Sequence, residues 1–195
     1  RLLGALVQQA RRAGLLVSFD VNLRHNLWPH GQADRQVVNQ LVKQADIVKF
    51  SRDELEYLAG GDCDGYIRQC LAAGCRLLLV TDGGKTIEYY RASGANLQTA
   101  SLQPPKVAVV DTTAGGDAFI GGVLFGLSLL GDFAALLADD SALAQLLTFA
   151  SFCGAHAVTL PGAFPALPDQ AAVAALLRQH GYAITDFNPA FFRSL

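Results

Sequence analysis

What this 195-residue chain lacks narrows its function before any motif is read. Basic residues are not in excess: 15 Lys and Arg face 17 Asp and Glu, for a net charge of −2 at pH 7. A nucleic-acid partner, which needs a positive field, is therefore not expected. Gly, Asp or Ser interrupts every apolar run well short of a bilayer span, so no membrane partner is expected either. Arg1 to Gly14 has the period of a helix rather than a basic patch before an apolar core, and no signal peptide is read there. Cysteine is limited to Cys63, Cys70, Cys75 and Cys153, with no CxxC pair and no histidines at zinc spacing. Buried free thiols are expected, not a metal centre or a disulfide frame. Internal repeats, low-complexity tracts and Ser- or Gly-rich linkers are missing too. A soluble cytoplasmic protein is the expectation.

What is present is an apolar chain, 51% hydrophobic, large enough to bury a core as one domain or most of one. Helical and strand-like stretches alternate. LLGALVQQARRAG has helical periodicity and leads into the β-rich LLVSFD; after a loop, ADRQVVNQLVKQA reads as a helix and DIVKF as a strand. SRDELEYLAG is a capped helix and YIRQCLAAG a short one, followed by the strands RLLLVT, TIEYYRA and KVAVV. Past DTTAGGD the chain turns helical to about Val158, and DQAAVAALLRQHG is a last helix. This alternation predicts a mostly parallel α/β sheet covered on both faces. Because the chain opens on Arg1 with no Met, in a helix that feeds a strand needing a neighbour, a missing N-terminal portion is expected. The tail from Tyr182 to Leu195, with Phe187, Phe191 and Phe192, packs on the body or on a neighbour.

The richest stretch is VAVVDTTAGGDAFIGGVLFGLSLLG: a strand, a small polar turn, two glycines, an acid, then an apolar helix. Gly115 and Gly116 permit a tight turn and a close backbone approach to a ligand. The amides of Ala114, Gly115 and Gly116 would then face outward at a helix N-terminus, where orphan N–H groups and the dipole favour an anion. A carboxylate that merely caps the dipole would account for Asp117 alone. It would not account for Asp111, Thr112 and Thr113 clustered at the strand end where open α/β sheets bind ligands.

DTTAGGDAF resembles the second signature of the PfkB, or ribokinase-type, carbohydrate kinases, usually written DTxGAGDxF. The resemblance implies a ribokinase-like three-layer α/β/α fold with a mostly parallel sheet. Residues 1–195 would be the C-terminal part of one kinase domain, lacking the N-terminal strands and the lid. It also implies that the turn at Ala114–Gly116 is an anion hole for the phosphoryl group, and that Asp117 is the base for the sugar hydroxyl. Ala114 and Gly115 stand where Gly-Ala is commoner, a mild departure because main-chain donors do the work.

Other segments agree in order. FDVNLRHNLWPHG resembles the fructokinase-like and 2-keto-3-deoxygluconate-kinase-like branch, with Asp20 and Asn22 shaping the strand end. Arg24 points there toward substrate or phosphate, a task suited to a rigid charged fork. DIVKFSRDELEYLAG is similar to the family's N-x-x-E segment, with Ser51 for Asn and Glu54 as organiser of the Mg2+ water shell; the same residues also spell a capping box. LLLVTDGGKTIEYY resembles the ATP-binding T-x-G-x-x-G, with Thr81 and Gly83 matching and Thr86 in place of the last glycine. A Walker A loop is rejected because Leu79 stands where its first glycine would be. In FASFCGAHAVTLPGA, Ser151 would line the adenine pocket. Ala157 and Gly162 lie near the place where relatives hold a monovalent cation, K+, with Asp111 and Thr113. His156 falls on no motif and reads as packing or surface.

The resulting expectation is an ATP- and Mg2+-dependent kinase of D-fructose, acting on small-molecule sugar and nucleotide and able to form a homodimer. 2-Keto-3-deoxygluconate and a riboside are the other acceptors. From a different class stand a silent nucleotide-binding relative, which would not need Asp117, and a nucleotide domain unrelated to sugars, which would not need D-x-N-x-R-x-x-L-W.

Overall fold

The computed structural model of the protein describes residues 2–93 and 96–192. Arg1 and the end of the aromatic tail, Arg193 to Leu195, lie outside the described residues. The chain divides into two compact units, Arg1–Asp82 with Ile87–Ser101, and Gly83–Thr86 with Leu102–Leu195. No described helix is long and apolar enough to cross a membrane.

The first unit holds the sheet. Helix α1 (Leu2–Arg12) precedes strand β1 (Ser18–Asp20), and α2 (Arg35–Val42) precedes β2 (Ile47–Ser51). Then come α3 (Arg52–Ala59), α4 (Cys63–Ala72), β3 (Leu77–Thr81), β4 (Ile87–Ser93) and β5 (Asn96–Leu102). The strands lie in the order β1-β2-β3-β4-β5. β1, β2 and β3 are parallel, with Phe19 opposite Val48 and Val48 opposite Leu78, while β4 runs antiparallel to β3. The sheet is thus mixed, with a parallel half.

Both faces of β2 and β3 are dry, as strands built mainly of Val, Ile, Leu and Phe require, with Lys49 the one charge among them. Val48, Phe50, Leu78 and Val80 share a core with Val38 and Val42 of α2, Leu55 and Leu58 of α3, and Ile67 and Cys70 of α4. Ile47, Leu77 and Leu79, which alternate with them, are equally inaccessible. The helices begin where the sequence supplies a cap: Asp34 accepts from the amides of Gln36 and Val37, Ser51 and Glu54 form a capping box, and Asp62 accepts from Gly65.

Three strand expectations change. The expected strand LLVSFD starts only at Ser18, and Leu15 and Leu16 are exposed; among the described residues β1 has a ladder partner on one side alone. NLQTASL, not expected as a strand, is β5 beside β4. KVAVV is not a strand: residues 103–109 have no regular structure, and Val109 and Val110 are exposed. Pro104 and Pro105 offer no N–H to a ladder, and the amides of Val110 and Asp111 both donate instead to the Val158 carbonyl.

The second unit is helical, with α5 (Gly115–Leu130), α6 (Phe133–Ala138), α7 (Asp140–Ala157) and α8 (Gln170–Gln179). Helices α5 and α7 pack backbone to backbone through small residues. A Cβ on Gly122 would lie 2.9 Å from the Ala150 Cα, and one on Gly154 would lie 2.8 Å from the Gly115 carbonyl oxygen. The tail packs on its own unit: Phe187, Phe191 and Phe192 are buried, and the Phe149 ring centroid is 4.9 Å from that of Phe191 and 5.7 Å from that of Phe192.

Candidate functional site

The polar residues singled out in the sequence gather in two clusters, one in each unit. In the second unit the turn before α5 begins at Asp111. Its Oδ1 accepts the Thr113 amide at 2.9 Å and the Thr113 hydroxyl, and its Oδ2 accepts the Gly162 amide at 2.9 Å. These donors, the Thr113 hydroxyl first, hold the Asp111 carboxyl below its usual range. Asp111, Thr113 and Gly162 are therefore one hydrogen-bonded assembly, with the carboxylate half-exposed.

Helix α5 then starts unlike its neighbours. Side chains of Asp34, Ser51, Asp62, Asp132, Asp139 and Asp169 cap α2, α3, α4, α6, α7 and α8, whereas Ala114 gives α5 no side-chain cap. The Gly115 amide points to the Thr112 carbonyl at a long 3.4 Å, and no side chain takes the first-turn amides or the positive end of the dipole. Neither Gly115 nor Gly116 has a positive φ. What Gly115 supplies is space, since a Cβ there would lie 2.7 Å from Val158 Cγ1. Ala114 and Ala118 are buried against Ala157 beneath the turn.

Asp117, in the first turn of α5, is exposed and opens on a cavity of about 730 Å³. One helical turn on is Gly121, and the remaining wall includes Phe125, Phe149, Cys153 and Leu167. Burial pushes the Cys153 thiol up to about 12, so it is a neutral wall group and not a nucleophile. Ser151 is 2% exposed and gives its hydroxyl to the Thr148 carbonyl at 2.7 Å, and it is not part of this wall. His156 is half-buried near the end of α7.

The first unit assembles its cluster where parallel β1, β2 and β3 all end: Asp20, Ser51 and Thr81 are their last residues. Asp20 lies 3.1 Å from the Nζ of Lys49, a buried lysine on β2 that the sequence reading passed over. Its signal was a charge inside the apolar run DIVKF. Beyond β1 the chain alternates, with Val21 and Leu23 buried and Asn22 and Arg24 exposed. Asn22 and Arg24 have φ of 41° and 46°. Left-handed backbone costs roughly 1–2 kcal/mol at a residue other than glycine.

One Glu54 oxygen holds this loop to α3 and the other closes the helix's capping box. Oε1 accepts the Leu23 amide at 2.8 Å and Oε2 the Ser51 amide at 2.7 Å. A carboxylate has about four acceptor positions, so two remain for water. Among the described residues no group of three or more His, Cys, Asp or Glu could cage a metal. A Mg2+ ion at a phosphoryl-transfer site does not need such a cage, because substrate phosphates and water supply most ligands. The residues present fit that mode. Thr81 donates its hydroxyl to the Phe50 carbonyl at 3.3 Å. In the second unit's short segment Gly83 has φ 56°, and the Thr86 hydroxyl oxygen accepts from the Gln103 side-chain Nε2.

Comparison with known proteins places the chain in a family. Residues 2–170 match the family described as pfkB family carbohydrate kinase. The chain is 39% identical over 167 residues to probable fructokinase-6, chloroplastic, of Arabidopsis thaliana, covering 84% of this chain and 42% of that protein. It is similar to the fructokinase with bound ATP from Xylella fastidiosa, with a TM-score of 0.83 and 34% identity over 90% of this chain and 56% of that one. A fructokinase double mutant from Vibrio cholerae O395, in its fructose, ADP and potassium ion bound form, gives a TM-score of 0.76 and 35% identity, covering 90% and 54%. The chain spans about half the length of the curated relatives it matches.

Proposed function

The chain belongs to the pfkB family of carbohydrate kinases, and from that premise we propose that the full-length protein transfers the γ-phosphoryl group of ATP to the 6-hydroxyl of D-fructose. The observation that carries the reading is the start of α5: it alone among α2 to α8 has no side-chain cap, and it carries an exposed carboxylate in its first turn. An anion can take amides that no side chain occupies, displacing the long Gly115–Thr112 bond, while the neighbouring carboxylate takes a proton.

In this reading Asp117 accepts the proton of the sugar hydroxyl as its oxygen forms a bond to the γ-phosphorus and the bond to the β–γ bridging oxygen breaks. The amides of Ala114, Gly115 and Gly116 stabilise charge on the phosphoryl oxygens. Mg2+, when bound, would neutralise charge on the nucleotide phosphates, and Glu54 would hold water near it through the lone pairs left by Leu23 and Ser51. Arg24 contacts the sugar or the transferred phosphate. Thr81, Gly83 and Ser151 belong to the ATP side, Ser151 from behind the wall, since its hydroxyl is already committed to Thr148. Asp111 and Thr113, with Gly162, take a potassium ion, in keeping with the ion named for the Vibrio cholerae protein. Four free cysteines, three of them buried, support a cytoplasmic setting.

The test is coupled ADP release by the full-length protein on fructose, ribose, 2-keto-3-deoxygluconate and aminoimidazole riboside. Fructose is expected to give the highest kcat/KM. A clear preference for the keto-acid would overturn the sugar assignment and make Arg24 a carboxylate partner. No turnover on any of them would favour the silent nucleotide-binding relative.

A further inference from the structure

Left-handed residues one apart, Asn22 and Arg24, persist only if their surroundings hold them. Arg24 makes no capping hydrogen bond with its own side chain. The residue between them, Leu23, is held at both backbone groups: its N–H donates to Glu54 Oε1 at 2.8 Å, and its carbonyl accepts the Trp28 indole N–H at 2.7 Å. The far end of the loop is held in the same way. Ala33 donates its N–H to His25 Nδ1 at 3.1 Å, and its carbonyl accepts the Tyr57 hydroxyl at 2.6 Å.

Leu23 and Ala33 are each 4% exposed, so side chains satisfy backbone groups that water reaches poorly. Glu54 and Tyr57 stand three apart on α3 and share a face, so one helix face grips the loop at both ends. The grip is tied in turn. His25 meets Tyr57 edge to face with ring centroids 4.6 Å apart, and the Arg35 guanidinium lies 4.4 Å from the Tyr57 ring centre.

We infer that His25 and Tyr57 are positioning residues for Arg24: by closing on Ala33 they fix the loop that keeps Arg24 left-handed, and so fix where its guanidinium starts. This rests on the reading of Arg24 as a contact of the sugar or the transferred phosphate. Arg24 itself is exposed, while its neighbours on either side are tied down. Strain of this kind is kept where a side chain must be aimed.

The test uses the full-length protein with Tyr57→Phe, His25→Ala, His25→Asn, Arg24→Ala and the Tyr57→Phe/Arg24→Ala pair. Tyr57→Phe deletes only the hydroxyl bond to Ala33 and keeps both ring contacts, so the fold survives. Trp28 is the one tryptophan of these 195 residues, and its bond to Leu23 makes acrylamide quenching of its fluorescence a direct reading of the loop, with tryptophans elsewhere replaced by Phe. Tyr57→Phe and His25→Ala should each lower kcat/KM on the order of 10-fold, the size of one lost positioning hydrogen bond, and raise Trp28 quenching. His25→Asn, whose amide oxygen can accept from Ala33, should restore most of both. In the Arg24→Ala background Tyr57→Phe should have no further kinetic effect. Additive losses, or parent-like kinetics and quenching in Tyr57→Phe, would overturn the inference. Parent-like kinetics in Arg24→Ala would instead overturn the reading of Arg24; quenching raised by Tyr57→Phe would then still support the grip, and unchanged quenching would refute it.

Discussion

Glu54 Oε1 sits 2.8 Å from the Leu23 amide nitrogen, a partner 31 positions upstream. The same carboxylate closes the capping box on Ser51. One side chain therefore starts a helix and anchors the loop that carries Arg24. Both bonds are charge-assisted, which makes them stronger than their neutral counterparts.

Glu54→Gln keeps a single oxygen for two N–H donors and removes the charge. We expect about 1–2 kcal/mol of lost stability and, in the full-length protein, a raised Mg2+ requirement. Thermal melts and Mg2+ titrations of turnover check the two effects separately. Lost stability with unchanged Mg2+ dependence would leave Glu54 a structural role only.

Asp117→Asn preserves shape and removes the carboxylate proposed as the base. On the proposed roles, kcat of the full-length protein should fall by about 10²–10⁴-fold, with ATP affinity nearly kept because the phosphates are assigned to main-chain amides. Single-turnover kinetics with a nucleotide-binding assay measure both, and a kcat within a few-fold of the parent would sink the role.

Gly154→Ala places a methyl 2.8 Å from the Gly115 carbonyl oxygen, a backbone atom that can retreat only by moving the turn. A loss of roughly 1–3 kcal/mol is expected. Gly4→Ala, where nothing lies within 4 Å of the new carbon, should instead gain up to about 1 kcal/mol from helix propensity. Denaturant melts of the pair would separate crowding from propensity.

Alkaline conditions should destabilise the fold through its thiols. Burial raises Cys70 to about 11 and Cys75 to about 12, against an ordinary thiol value of 9.0. The unfolded chain loses these protons first, so the stability they contribute is complete below pH 9 and drains away as pH climbs through the folded values. Each such group contributes a slope of up to about 1.4 kcal/mol per pH unit. Cys75→Ala should flatten the fall in melting temperature over that window, and a parent-like slope would exclude this thiol as a cause.

Much of the protein was decided by short stretches acting on their own. LLLV is apolar without interruption and IVKF is broken only by Lys49, and both become buried strands; Asp34, Ser51 and Asp62 start helices because a cap needs only the next two or three amides. The turn from Asp111 to Asp117 is likewise a local object, legible as DTTAGGD with an apolar helix behind it. Other features depended on partners that a linear reading cannot supply. KVAVV has every strand residue but no ladder, so its last amide turns to Val158. Gly115 looked like a residue chosen for its backbone freedom and is needed for the room it leaves Val158. Lys49 finds Asp20, Leu23 finds Glu54 and Ala33 finds Tyr57 across 29, 31 and 24 positions of chain. Local sterics and capping act over a few bonds and are written in the residues themselves. The aim of Arg24 depends on groups brought together only when the loop meets α3, and so tertiary structure alone decided it.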